Sequence, residues 1–191
     1  MKNTALIMID MQRGFIDPSS PLCIAGAAAT VPACAEVIRF FHENELPVFY
    51  AVRHYRADGS DVEKARAKTW AEGGKPMSEV CDENMSDAFP ESFEVLASDH
   101  VFVKPRFSAF CATSLDLVLR RLGVQTVVLA GTTTPNCIRT TCYDALSLDY
   151  DVVVLSDCTS SVTDAVQAAN LEDMQRIGAE IMTLKELKKH G

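Results

Sequence analysis

The sequence predicts the α/β fold class, as a three-layer α/β/α sandwich built on a six-stranded, mostly parallel sheet. Two observations lead to this prediction. Short apolar runs of strand length alternate with longer segments of helical periodicity along the whole chain. The apolar runs are hydrophobic at nearly every position, which is typical of strands covered on both faces. Strands joined by helical crossovers lie parallel, with helices on both sides of the sheet.

The elements follow from this alternation. Six apolar runs are predicted strands, at residues 5–9, 47–52, 101–103, 126–130, 152–155 and 180–183. Four segments have helical spacing of apolar residues, at residues 31–44, 113–122, 135–148 and 164–177. Gly123 and Gly178 follow two of these helices directly, as helix-ending glycines do.

One long segment, residues 53–99, departs from the alternation. It is polar, irregular and poor in strand signal. Connections of this length inside a compact domain are commonly functional. We interpret the segment as a lid or substrate loop built around Trp70.

Length, charge and cysteine content limit the classes of protein. The 191 residues suit a single domain, residues 1–191. A net charge of −8 without a Lys/Arg cluster makes nucleic acid an unexpected partner. No apolar run reaches the roughly 20 residues that a membrane span requires. Seven cysteines, an odd number without a CxxC pair, favour reduced thiols and a cytoplasmic location.

Three strand ends carry residues that can do chemistry. In open α/β sheets the ligand crevice lies beyond the carboxyl ends of the strands. The first predicted strand ends in Asp10, the third in Lys104, and the fourth runs through Gly131 into a helix that contains Cys137. We therefore expect these three side chains, far apart in the chain, to meet at one edge of the sheet.

The segment around Cys137 predicts an activated thiol. Thr134 is a plausible N-cap and Pro135 a natural first helical residue, which puts Cys137 in the first turn. Amide groups there lack helical partners, favour a thiolate and can hold an oxyanion. Asp10 would take the thiol proton, while the Lys104 cation would lower the thiol pKa and hold Asp10 ionised. The expected chemistry is attack on a C–N carbonyl, an acyl-enzyme and its hydrolysis.

Three stretches carry a resemblance to a known family. They are ALIMIDMQRGFID at 5–17, VKPRFSAF at 103–110 and AGTTTPNCIRTTCYDA at 130–145. Together they resemble the isochorismatase-like hydrolase superfamily, which includes nicotinamidases, N-carbamoylsarcosine amidohydrolases and ureide hydrolases. The resemblance implies an isochorismatase-like fold and a homodimer or homotetramer.

The same resemblance implies the site. Asp10 would be the base, Lys104 the support for the transition state and Cys137 the nucleophile. A cis peptide bond is implied in the 131–134 segment, at Thr132–Thr133. The oxyanion hole would then be formed by the N–H groups of Thr133 and Cys137.

The sequence departs from the family at the metal site. Nicotinamidases of this group carry an Asp-x-His pair and further histidines after the second strand. The corresponding segment here is VRHYRADGSD at 52–61, where His54 is the single histidine. We therefore predict no metal, no other cofactor and a substrate other than nicotinamide.

The presence of Cys137 favours hydrolysis of a small amide, carbamoyl or ureide bond through a thioester. Two alternatives stay open. One is hydrolysis of a vinyl ether of the isochorismate type by Asp10 and Lys104 without the thiol. The other is a catalytically silent family member that acts as a binding protein.

Candidate contacts to a small-molecule substrate complete the prediction. Phe15 and Trp70 would line the pocket or only pack the lid, and His54 is a loop residue in reach of it. Arg53, Arg56 and Arg106 would hold a carboxylate or be solvated at the surface. The full set of predicted substrate contacts is Phe15, Arg53, His54, Trp70 and Ser108.

Overall fold

The computed structural model describes residues 1–190, and they form one six-stranded sheet. The strand order is β3-β2-β1-β4-β5-β6, and every neighbouring pair is parallel. The predicted three-layer α/β fold class is therefore confirmed. The strands are β1 (Thr4–Ile9), β2 (Val48–Val52), β3 (His100–Val103), β4 (Thr126–Thr132), β5 (Asp151–Ser160) and β6 (Glu180–Met182).

Helices cover both faces of the sheet. They are α1 (Arg13–Ile16), α2 (Ala27–Glu43), α3 (Ala67–Glu72), α4 (Leu115–Arg121), α5 (Arg139–Ser147), α6 (Asp164–Arg176) and α7 (Leu184–His190). A 3₁₀ turn lies at Glu83–Met85 and a π-helical turn at Thr134–Ile138. None of the helices in residues 1–190 combines the length and the apolarity that crossing a membrane would demand.

The first strand shows why the sequence forms two cores. All residues of β1 are buried, and successive side chains point to opposite faces. Ile7 and Ile9 pack in a cluster with residues of α4, α5 and α6. Leu6 and Met8 pack on the other side with residues of α2 and α7. A strand covered on both faces needs apolar residues at every position, which is the pattern that predicted it.

Helix α2 and strand β5 extend furthest beyond their predicted bounds. Helix α2 begins at Ala27 rather than at residue 31, and Pro32 lies inside it. The apolar spacing begins only at Val31, so the alanine-rich first turn gave no periodic signal. Strand β5 continues to Ser160, because the polar residues Thr159 and Ser160 pair with the end of β4 after a register shift.

The segment 53–99 is more ordered than its composition indicates. It contains α3 and encloses a third apolar cluster with Phe15. Trp70 lies at its centre, 2% exposed, with its ring edge against Tyr55 and its indole N–H donating to Pro76 O at 2.8 Å. The segment is irregular, as predicted, with α3 and the turn at Glu83–Met85 as its helical parts. Contacts around one tryptophan pack it, and such contacts do not require a helical or strand period.

Candidate active site

Asp10 and Lys104 meet at the carboxyl ends of β1 and β3. The Asp10 amide donates to Ala51 O at 3.0 Å and the Lys104 amide to Val52 O at 2.9 Å, so both residues continue the ladder with β2. Asp10 has φ +53, a left-handed conformation that aspartate tolerates better than most residues. The Lys104 Nζ lies 2.8 Å from Asp10 Oδ2, with both side chains at most 1% exposed. The predicted convergence of these two residues is present.

The Lys104 ammonium is held from three directions. Besides Asp10, it donates to the carbonyl oxygens of Arg106 and Phe107, at 3.2 and 3.3 Å. An ammonium group has three donors, and each has a partner here. The cation is therefore fixed in place rather than free to follow a substrate.

Cys137 lies in the π-helical turn between β4 and α5. The amides of Asn136 and Ile138 both donate to Thr133 O, at 3.1 and 3.3 Å, which widens the turn on either side of Cys137. The predicted α-helical start was wrong. Thr133 is the N-cap residue, and the Thr134 hydroxyl donates to Ser160 O at 3.0 Å instead of capping the helix. Strand β5 extends far enough to supply that acceptor.

The turn begins with a cis peptide bond between Thr132 and Thr133. This confirms the position that the family resemblance implied. The two threonines are tied to the end of β5, because the Ser160 hydroxyl donates to Thr132 Oγ1 at 2.9 Å and the Thr133 hydroxyl donates to Ser160 O at 3.2 Å.

The electrostatic surroundings raise the pKa of the Cys137 thiol. Burial is the main cause, and the negative charge of Asp10 acts in the same direction. The cations of Lys104, Arg53 and Arg66 oppose this shift without reversing it. Lys104 lowers the thiol pKa, as predicted, but burial and Asp10 outweigh it, so the resting thiol is not the acidic group that the sequence argument favoured. The thiol is protonated near neutral pH, and its activation requires a base.

Arg53 is enclosed beside the Asp10 carboxylate. Its side chain is fully buried, with Nη2 2.6 Å from Glu63 Oε1 and Nε 3.8 Å from Asp10 Oδ1. Its Nη1 donates to Lys104 O at 3.3 Å, and Glu63 also accepts from the Tyr55 hydroxyl at 2.8 Å. Arg53 thus contacts the site, but its hydrogen-bonding groups face the protein.

Gln12 is a site residue that the sequence argument missed. Its side chain is fully buried, accepts from the Arg53 amide at 2.7 Å and donates to Arg53 O at 2.8 Å and Asp87 O at 3.0 Å. It therefore joins the loop after β1 to the start and end of the 53–99 segment. The signal available in the sequence was a polar residue two positions after Asp10.

Arg66 is a second residue that was missed. Its guanidinium lies 5.4 Å from the ring centroid of Phe15 and 5.1 Å from that of Phe107. It also interacts electrostatically with the Cys137 thiol. Its position in a run rich in charged residues, EKARAK at 63–68, gave it the appearance of a solvated surface residue.

The other predicted substrate contacts lie apart from this arrangement. His54 is 42% exposed and pairs with Asp87 at 2.8 Å, and Trp70 packs inside the third cluster. The Ser108 hydroxyl accepts from the Phe110 amide at 3.1 Å and closes a turn. Phe15 alone contacts a group at the site, through Arg66. A role in substrate binding stays a prediction for these residues.

The donor set does not fit the metal site of nicotinamidases. In residues 1–190 no group of three or more His, Cys, Asp or Glu side chains is placed to hold a metal ion. His54 turns toward Asp87 at the surface, and the buried place after β2 is taken by the cation of Arg53. A buried guanidinium paired with Asp10 is a poor neighbour for a metal cation.

Comparisons with known proteins identify relatives that match nearly the whole chain. A probable inactive nicotinamidase of Arabidopsis thaliana is 36% identical over 97% of this chain and 94% of that protein. Maleamate amidohydrolase of Pseudomonas putida is 30% identical over 97% of this chain and 85% of that protein.

Structural similarity extends over the whole chain. The crystal structure of an isochorismatase family protein from Desulfovibrio vulgaris has a TM-score of 0.91 at 40% identity, covering 99% of this chain and 98% of that one. The family model described as Isochorismatase domain matches residues 4–186. Because that match spans nearly the entire sequence, the chain belongs to the isochorismatase family of hydrolases.

Proposed function

We propose that this protein is a metal-independent cysteine hydrolase that cleaves the C–N bond of a small amide, carbamoyl or ureide compound through a thioester. The observation that carries the proposal is the buried ion pair of Asp10 and Lys104 acting on the Cys137 thiol. An acid, a base and a sulfur nucleophile in one water-poor place are the parts that amide hydrolysis needs.

The first half of the reaction forms the acyl-enzyme. Asp10 takes the proton of the Cys137 thiol as the sulfur attacks the carbonyl carbon, and an S–C bond forms. The tetrahedral intermediate then collapses, the C–N bond breaks, and the proton on Asp10 passes to the departing nitrogen. The product of this half is an amine or ammonia, and the acyl group is left on sulfur.

The second half returns the thiol. Asp10, again a carboxylate, takes a proton from water as the water oxygen attacks the thioester carbonyl. The C–S bond breaks, the sulfur regains the proton, and a carboxylic or carbamic acid leaves. The Lys104 ammonium lies against Asp10 through both halves, because its three donors are held by Asp10 and by the carbonyl oxygens of Arg106 and Phe107.

The oxyanion of both intermediates would be bound by backbone amides of the turn. We assign the N–H groups of Thr133 and Cys137 to this role. The neighbouring amides of Asn136 and Ile138 are already engaged with Thr133 O, which supports the choice of the amide between them. Removal of one such donor commonly costs about 10²–10³-fold in rate.

The relatives support the reaction class and also one rival. The Pseudomonas relative is named an amidohydrolase, and it shares 30% identity over nearly the full chain. The Arabidopsis relative, at 36% identity, is named a probable inactive nicotinamidase. That name favours a second candidate, a family member that binds a small molecule without hydrolysing it.

The test is a hydrolysis screen over small amides, carbamates and ureides. Hydrolysis is measured both as released ammonia and as the acid product. Cys137→Ala and Cys137→Ser are the inactive variants, and Cys111→Ala is the matched control because Cys111 is an exposed thiol. A chelator is added to a parallel series. We expect turnover in the wild type and in Cys111→Ala, with or without chelator, and none in Cys137→Ala.

Other results select the rivals. A vinyl ether of the isochorismate type is added to the screen. Its hydrolysis by a folded Cys137→Ala protein and after thiol alkylation would favour a vinyl-ether reaction that uses Asp10 and Lys104 alone. Saturable binding of a screened compound without any product would favour the silent binding protein. Loss of activity on chelation, restored by a divalent metal, would contradict metal independence.

A further inference from the structure

Arg66 carries an unused donor at the edge of the site. Its Nη1 is buried and has no hydrogen-bond partner in the structure. Among the described residues no carboxylate lies within 4.0 Å of its guanidinium, whereas Arg53, Arg56 and Arg139 each have at least one. A buried donor without an acceptor is costly, so such a group calls for a partner.

Two aromatic rings fix the direction of this guanidinium. It lies between Phe15 and Phe107, at 5.4 and 5.1 Å from their centroids. The Phe107 backbone is in turn bound to Lys104 through its carbonyl oxygen. Arg66 is therefore held in a defined place beside the candidate nucleophile, which a solvated surface arginine is not.

The charges around the sulfur do not balance. The cations of Arg53, Lys104 and Arg66 face two carboxylates, those of Asp10 and Glu63. With Cys137 as a neutral thiol, or as a thioester, the cluster holds one positive charge in excess. An anion that enters with the substrate would supply the missing charge.

Exposure places Arg66 on the outer side of the cluster. Asp10, Arg53 and Lys104 are at most 1% exposed. Arg66 and Phe107 are partly exposed, so they separate the buried groups from solvent. A substrate that reaches the sulfur from this side would meet the free face of Arg66.

The other arginines near the site are already engaged. Arg53 is bound to Glu63 at 2.6 Å, and the exposed Arg56 to Asp58 at 3.5 Å. The exposed Arg106 donates to the carbonyl oxygens of Asp61 and Pro105. The Nε and Nη2 atoms of Arg53 are buried without a hydrogen bond of good geometry, but they lie 3.8 Å from Asp10 Oδ1 and 2.6 Å from Glu63 Oε1. Arg66 Nη1, in contrast, is a buried donor with no carboxylate beside it.

We propose that Arg66 determines specificity by binding a carboxylate of the substrate. The substrate is then an amide, carbamoyl or ureide compound that also carries a free carboxylate. This inference rests on the proposed function for the identity of the reaction. It adds the substrate class and a residue outside the strand-end set of Asp10, Lys104 and Cys137.

The test compares two alkylating reagents of nearly equal size, iodoacetate and iodoacetamide. In both cases the sulfur forms an S–C bond, the C–I bond breaks, iodide leaves and the thiol proton is lost to a base. Alkylation rates at Cys137 and at the exposed Cys111 are measured on the same sample by peptide mass spectrometry. The iodoacetate-to-iodoacetamide ratio at Cys111 is the internal reference, because any opening of the site affects both reagents alike.

We expect the ratio at Cys137 to exceed that at Cys111 by about tenfold or more, which is the size of one hydrogen bond to a charged group. Arg66→Met should bring the two ratios within about twofold, and Arg66→Lys should keep part of the preference. Arg56→Gln is the matched control and should change nothing, since Arg56 is exposed and already paired.

Equal ratios at Cys137 and Cys111 in the wild type would overturn the proposal without any variant. So would a preference at Cys137 that survives in a folded Arg66→Met protein, because Arg53 and Lys104 would then be its source. Folding of each variant is checked by circular dichroism, and the wild-type ratio decides the matter if Arg66→Met does not fold.

A turnover experiment separates this inference from the proposed function. Succinamate and its uncharged methyl ester are compared as substrates of the wild type and of Arg66→Met. Hydrolysis of both at equal kcat/KM would contradict the role of Arg66 while leaving the hydrolase proposal intact. A carboxylate preference in alkylation without hydrolysis of any amide would contradict the hydrolase proposal and leave Arg66 as an anion-binding residue.

Discussion

Asp10 acts on Cys137 in two opposite ways. Its negative charge raises the pKa of the thiol, and in the proposed mechanism it is also the group that removes the thiol proton. Lys104 lies 2.8 Å from that carboxylate and lowers the thiol pKa. The resting state is therefore a protonated thiol beside a charged base, and the proton moves only as the sulfur attacks.

This arrangement predicts that Asp10→Asn separates the acidity of the thiol from catalysis. Without the carboxylate, burial and the three cations remain, so the pKa of Cys137 should fall. Alkylation by iodoacetamide at pH 8 should become faster, about tenfold for each pKa unit. Hydrolysis should decrease by about 10²–10⁴-fold, because the general base is lost. Peptide-resolved alkylation and steady-state turnover measure the two effects on one preparation.

Lys104→Met is the matched opposite. Removing the cation leaves the charge of Asp10 in place, so the pKa of Cys137 should rise and alkylation should become slower. Either variant leaves one partner of a buried pair unmatched, at a cost of about 3–5 kcal/mol, so thermal unfolding is measured alongside. Slower alkylation in a folded Asp10→Asn protein would contradict the assigned electrostatics.

Asp10 and Lys104 were predictable at this scale because each directly follows an apolar run, and parallel strands present those ends together. Gln12, Glu63 and Arg66 were not predictable. None of them directly follows an apolar run, and their burial depends on how the 53–99 segment folds back over the sheet. Charge alone does not distinguish a buried arginine from a solvated one.

At the level of elements, the site depends on a close approach between β1 and β4. Gly131 pairs with Ile9 and has φ +114. A Cβ at this position would lie 2.0 Å from Ile9 O, which is backbone and has no room to move. This contact brings the turn that carries Cys137 next to Asp10, the residue after Ile9.

Gly131→Ala is therefore expected to be severely destabilising, by more than about 4 kcal/mol, and to abolish alkylation selectivity at Cys137. Gly178→Ala is the matched control. Gly178 has φ +115, but no atom lies within 4 Å of its Cβ position. It should show only the backbone cost of about 1 kcal/mol. Urea unfolding compares the two, and similar losses would contradict the steric explanation.

Element boundaries show where sequence patterns stop being informative. Apolar runs identified all the strands of the described sheet. Burial on both faces explains that signal in β1 and β2, whereas the edge strand β3 is apolar although Val101 and Val103 are exposed. The π-helical turn at Thr134–Ile138 was not predicted, since Thr-Pro-Asn is also a good α-helix start. Its shape depends on the carbonyl oxygen of Ser160 at the end of β5, which a local pattern does not include.

On the scale of the whole molecule, the apolar clusters bury groups that release protons only at alkaline pH. Burial raises the pKa of Cys142 from 9.0 to about 12. Burial, with a hydrogen bond to Asp116, raises that of Tyr150 from 10.0 to about 12. Burial also raises the pKa values of Tyr50 and Tyr55. In each case the folded state retains a proton that the unfolded chain gives up earlier.

The sign of the resulting pH dependence follows from linkage. Below pH 9 both states hold these protons, and the stabilisation is fully present. Between pH 9 and about 12 the unfolded chain ionises first, so the free energy of unfolding decreases, by up to about 1.4 kcal/mol per pH unit for each such group. We expect the urea midpoint, measured under reducing conditions, to be flat from pH 7 to 8.5 and to fall steeply above pH 9.

Cys142→Ala tests the assignment of this slope to buried groups. The variant should lose about 1 kcal/mol at pH 7 because a buried sulfur is replaced by a smaller side chain. Its free energy of unfolding should also decrease less steeply with pH above pH 9, because one titrating group has been removed. Cys111→Ala, which removes an exposed thiol, should keep the wild-type slope. An unchanged slope in Cys142→Ala would mean that the alkaline loss of stability arises from other groups. Unfolding would then release no proton from the sulfur of Cys142 in this pH range.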